Sequence, residues 1–100
     1  MNQRHDTTFT IGPGHPALAG HFPGRPIVPG VVLLDRVIAA ARDAFALPAA
    51  TSLPRAKFAA PVLPGQRVDV VLTRLEPARI AFTCAVAGEA VASGQLHFAP

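Results

Sequence analysis

One hundred residues are expected to make about one domain, spanning 1–100, without room for a separate regulatory or cofactor module. Half of them are hydrophobic and 15% are charged, which excludes a disordered tail, and the single cysteine, Cys84, excludes an internal disulfide framework and suits a reducing cytosol. The net charge of +3 is spread along a chain without Trp or Tyr, a pattern that argues against nucleic acid and better suits a small acidic protein partner.

The polar start, Met1 to Asp6, carries no apolar core of signal-peptide length and reads as frayed. Thr7 to Ile11 alternates β-branched and aromatic residues as a first strand does. Between Gly12 and Gly30 stand five Pro and five Gly, which forbid a regular helix or a central strand and predict a long, conformationally fixed loop. Long ordered loops in small domains are where chemistry is sought first.

Val31 to Leu47 has no internal Pro or Gly and is rich in Ala, Leu and Val, so it is the predicted helix, ending before Pro48. Its first turn, Val31-Val32-Leu33-Leu34, is apolar all round and predicts a helix enclosed by other structure. Arg55–Ala60, Arg67–Leu75, Arg79–Ala87 and Ala90–Phe98 read as strands, with turns at Glu76-Pro77-Ala78 and Gly88-Glu89. The last three form a predicted antiparallel meander, and the whole is an α+β domain whose sheet curls around one central helix. Asp35, Arg42 and Asp43 interrupt the longest apolar stretch well short of a membrane span, so a soluble, cytoplasmic protein is expected. A half-apolar chain of this size is also expected to cover part of its surface with another copy.

The segment His21-Phe-Pro-Gly24-Arg-Pro-Ile-Val-Pro-Gly30-Val-Val-Leu-Leu-Asp35 puts an imidazole in a rigid loop, a glycine at the start of the helix and an acid within the otherwise apolar start of that helix. Removing water from a 3-hydroxyacyl thioester needs a base for the C2 proton, an acid for the departing hydroxyl and donors for the thioester oxygen. His21 is the candidate base, since imidazole titrates nearest neutrality. Asp35 is the candidate acid, because burial among Val and Leu would favour a protonated carboxyl group. The Gly30 N–H is the candidate oxyanion donor: first-turn amides lack intrahelical partners, and the helix dipole adds positive potential there. Taken singly, His21 reads as a structural or solvated loop histidine, Asp35 as a surface acid and Gly30 as the end of a turn; it is their ordered occurrence in one string that carries the reading.

That string resembles the signature of the 3-hydroxyacyl-acyl-carrier-protein dehydratases of the FabA/FabZ type, in which His-Phe-x-Gly-x-Pro-x-x-Pro-Gly leads to an acid at the position of Asp35. The short chain is most similar to the small ApeI-like dehydratases of aryl-polyene pathways. Lys57-Phe-Ala-Ala-Pro61-Val-Leu-Pro-Gly65 resembles the family's second block, so the likeness runs from about His21 to the C-terminus. The resemblance implies a hot-dog fold, a homodimer with His21 of one subunit facing Asp35 of the other, and an Ile27 carbonyl that orients the His21 ring. It also implies a phosphopantetheine arm entering between subunits, with no other cofactor. Basic residues at the tunnel mouth would receive the acidic acyl carrier protein, the candidates being Arg25, Arg55, Lys57 and Arg79. Two departures stand out: Ala39 occupies the place where many relatives carry Gln, and the N-terminal region is shorter than theirs.

His15 and His21 lie six apart and, with one distant Cys, offer no credible metal set; His5 and His97 read as solvated, and Cys84 as a buried structural thiol. Two other readings are kept: a hot-dog acyl thioesterase, and a non-catalytic acyl-carrier-binding subunit that works beside an active paralogue.

Overall fold

The computed structural model of the chain describes residues 3–15, 27–48 and 50–98. Six elements follow one another: β1 (Gln3–Thr10), α1 (Gly30–Phe45), β2 (Ala50–Phe58), β3 (Arg67–Glu76), β4 (Arg79–Val86) and β5 (Glu89–Phe98). The strands form one antiparallel sheet in the order β1-β3-β4-β5-β2. The α+β expectation and the meander of the last three strands are borne out.

Alternation builds the sheet's two faces. Val68, Val70 and Leu72 of β3, Ile80, Phe82 and Cys84 of β4, and Leu96 and Phe98 of β5 are buried on one side, while the residues between them look outward. The inward set pairs across strands, Val70 with Cys84, Leu72 with Phe82 and Ile80 with Leu96. Against it α1 presents Val32, Leu33, Val37 and Ala41, a stripe at helical spacing. The core is therefore a single layer between the sheet and the helix.

Three expectations are corrected. Gln3 to Asp6 is not frayed; it pairs with Val71 to Arg74, since an edge strand is held by its backbone and needs no apolar side chains. The helix is covered on one side only: Val31, one residue before the buried Val32, is 65% exposed. The last hairpin turns at Ala87-Gly88, one residue earlier than expected, with Val86 facing Glu89. Both turn residues have positive φ, 50° and 84°, the two-residue geometry that matches strand twist. Ala46, at the helix C-terminus, is also left-handed, with φ 52°.

Gly94 marks the closest approach of two strands. It lies opposite Ala56 and beside Phe82, and a Cβ there would run into the Arg55 carbonyl. Among the described residues no helix is long and apolar enough to cross a membrane.

Gly94→Ala is therefore expected to lose about 1–3 kcal/mol by prising β2 from β5, whereas Ala87→Gly gains about 1 kcal/mol by relieving a left-handed alanine. Thermal denaturation reads both, and a Gly94→Ala protein as stable as wild type would contradict the close approach. Cys84 is buried, and its burial pushes the thiol up to about 11, so a thiol reagent at pH 8 should label it only after denaturant is added. Rapid labelling of the native protein would refute its place in the core.

Candidate active site

Proline and glycine set the shape of the helix entry. Pro29, with φ −59° and ψ 144°, is the N-cap of α1 and has no side chain able to bond the first turn. Its carbonyl accepts from the N–H groups of Val32 at 3.0 Å and Leu33 at 3.2 Å. Helix geometry leaves the N–H groups of Gly30 and Val31 without an intrahelical acceptor, at the positive end of the helix dipole. No acidic residue in the first turn competes for them.

The second Pro-rich block is held against this entry. Val28 donates its N–H to the Val62 carbonyl at 2.8 Å, and Gly65 donates to the Ile11 carbonyl at 2.8 Å, with φ +88° at Gly65 admitting the tight turn. Ala59 donates to Val91 at 2.9 Å and fixes the exit of β2. Phe58, the last residue of β2, lays its ring over Gly30, so that a Cβ on Gly30 would lie 2.9 Å from Phe58 Cζ. Between these pieces opens an apolar cleft of about 520 Å³, lined by Ile27, Gly30, Leu33, Phe58, Pro61 and Val62 among others. An apolar cleft with a helix-start glycine in its lining has room for an acyl chain and places backbone donors where a carbonyl oxygen could be held.

The structure brings together Gly30 and Ile27 of the residues singled out from sequence. His21 and Arg25 lie outside the described residues, and so does the contact expected between His21 and the Ile27 carbonyl. Asp35 is placed differently from expectation: it is exposed, on the open side of α1 with Val31 one turn before it. Neighbouring Val and Leu in sequence did not bury it, because the buried stripe runs along the other side of the helix. Five residues separate Gly30 from Asp35, about 140° around an α-helix, so one chain does not aim both groups at the same point.

Arg55, Lys57 and Arg79 are gathered too, but around a second, open groove of about 690 Å³ on the outer face of the sheet, away from α1. They do not ring the mouth of the apolar cleft. Phe58 was not singled out from sequence. Its signal was the alternation in β2, which sends Arg55 and Lys57 outward and Ala56 and Phe58 inward.

Gly30→Ala should fold with a destabilisation of roughly 1 kcal/mol, since the added methyl meets only the far end of a movable ring. Combining it with Phe58→Leu should recover part of that loss, as thermal denaturation of the two singles and the double would show; strict additivity would mean that ring and glycine do not touch.

The chain matches the ApeI-like family profile, described as ApeI dehydratase, over residues 1–95. It is 36% identical over 80 residues to the 3-hydroxyacyl-[acyl-carrier-protein] dehydratase FabZ of Aliarcobacter butzleri, an alignment covering 66% of this chain and 54% of that protein. With the FabZ of Aliivibrio fischeri it shares 33% identity over 103 residues, covering 89% and 69%. The chain thus spans about half the length of the first of these relatives. Among solved structures it superposes on the dehydratase heterocomplex ApeI:P of Xenorhabdus doucetiae with a TM-score of 0.84, at 20% identity, over 100% of this chain and 95% of that one. The sheet and helix are thus the hot-dog fold expected from the sequence, and the chain belongs to the ApeI-like dehydratase family.

Proposed function

We propose that the protein dehydrates a 3-hydroxyacyl thioester on acyl carrier protein to the trans-2-enoyl thioester, working in the cytoplasm as a homodimer. The observation that carries this reading is the uncapped start of α1 at the end of the apolar cleft, where the Gly30 N–H is available to a thioester oxygen. His21 takes the C2 proton, the C2–C3 double bond forms, and the C3–O bond breaks as Asp35 gives its proton to the departing hydroxyl, which leaves as water. The two side chains then differ by one proton, which passes from His21 to Asp35 through solvent. The carrier's phosphopantetheine arm is the only prosthetic group required.

A homodimer is supported by the position of Asp35. Since one chain turns it away from its own Gly30, a partner subunit is needed to place an acid opposite the donors and the imidazole. Phe58 (49% exposed) lines the same cleft, exposed Val31 and Leu63 (46% exposed) directly follow its lining residues Gly30 and Val62, and together they would supply apolar surface for that partner. Burial of Asp35 then comes from the second subunit and not from its own helix.

A second reading, a non-catalytic carrier-binding subunit, is favoured by one observation: Ala39, one turn beyond Asp35 and exposed, has no side chain able to hydrogen-bond at the place where the family resemblance implies Gln.

Turnover of 3-hydroxyacyl carrier protein, with products read by mass spectrometry, separates these readings. His21→Ala and Asp35→Asn should each lower enoyl formation by roughly 10²–10⁴-fold with the dimer intact. Mixing the two variants should restore one working site per mixed dimer. Wild type and both variants turning over equally would defeat the assignment, a free acid product would identify a thioesterase, and no product from wild type would favour the carrier-binding subunit.

A further inference from the structure

The groove on the outer face has the composition of an anion-docking surface. Along β2, Arg55 and Lys57 point into it from one edge, and Arg79 of β4 closes one end. Between them β5 floors the groove with Ser93, Gln95 and His97, and Ala81 and Thr83 of β4 lie beside them. Among the described residues no Asp or Glu lines this groove, and none pairs with Arg55 or Lys57; only Arg79 is engaged, with its Nη2 3.2 Å from Glu76 Oε1. Three of the nine Lys and Arg of the chain thus stand around one groove, two of them without an acidic partner among the described residues.

The shape points to a protein occupant. The furrow runs across three strands of the outer sheet face and carries cations at both sides, the complement of an extended acidic surface. Arg55 and Lys57, two residues apart on one strand, are separated by roughly 6–7 Å along the backbone, close to the ~5–6 Å between Cβ atoms one turn apart on a helix.

Building on the function proposed above, we infer that an acidic helix of the carrier protein docks on this outer face, opposite the reacting cleft, and that its arm rounds the end of β2. Lys57 and Phe58 make the crossing short. They are consecutive, the first on the groove and the second on Gly30, so the route passes one layer of sheet, where stacked layers lie ~10 Å apart. Docking and chemistry then use opposite faces of one sheet.

The test compares one 3-hydroxyacyl group on carrier protein, on pantetheine and on coenzyme A, with wild type, Arg55→Glu/Lys57→Glu and the milder Arg55→Gln/Lys57→Gln. Charge reversal should cut kcat/KM for the carrier substrate at least about tenfold more than for pantetheine, through KM, with the neutral pair in between. Raised salt should erase the wild-type preference for carrier. Parallel losses on all three substrates, or a loss on coenzyme A as large as on carrier, would overturn the inference. Calorimetric titration with carrier lacking any acyl group reads docking without chemistry. If wild type turns over no substrate but binds this carrier, and reversal abolishes binding, the reaction falls and the docking face stands. If wild type binds no carrier, the docking face falls.

Discussion

The geometry hangs on how the start of α1 is fastened to the end of β2. One hydrogen bond, from Val28 to Val62, and one aromatic contact, Phe58 on Gly30, bring together two Pro-rich blocks far apart in sequence. Neither contact is strong alone, for a backbone hydrogen bond contributes roughly 1 kcal/mol net. Their importance is positional: they decide that the positive end of the helix opens into an apolar cleft and not into solvent. The buried stripe Leu33, Val37 and Ala41 then fixes the rotation of the helix about its axis, and that rotation sends Asp35 to the open side.

Much of this was legible in the chain. The run free of Pro and Gly located the helix, and the strand runs at Arg67–Leu75 and Arg79–Ala87 located the centre of the sheet; most of the loop expected between Gly12 and Gly30 lies outside the described residues. What escaped had a common cause. Sequence neighbours report which element a residue belongs to, and only partly which way it points. Gln3 to Asp6 looked too polar for a strand, yet β1 needs only its backbone to pair with β3. Asp35 looked buried because Val and Leu precede it, yet the helix has two sides and the sheet covers one. Arg55, Lys57 and Arg79 were singled out for charge alone, and it is the two-residue period of the strands that gathers them on the outer face.

Membership of the ApeI-like family and the single-chain geometry meet at Asp35. A carboxylate exposed on the far side of a helix is ordinary on any surface. Beside an uncapped helix entry and exposed Val31, Phe58 and Leu63, it becomes a group whose surroundings a second subunit would complete. Arg55, Lys57 and Arg79 stand on the opposite face of the sheet, so the proposed self-association and the proposed carrier docking would use different faces.

Pro29 gives the helix entry its character through what a proline side chain lacks. A serine or aspartate there would bond the first-turn amides itself and strengthen the helix by about 1 kcal/mol. Its oxygen would sit on the N–H of Val31 or Val32, beside the Gly30 N–H proposed to receive the thioester oxygen. The chain thus forgoes a small increment of stability to keep two amides unclaimed, and variants selected only for heat resistance would tend to spend that vacancy first.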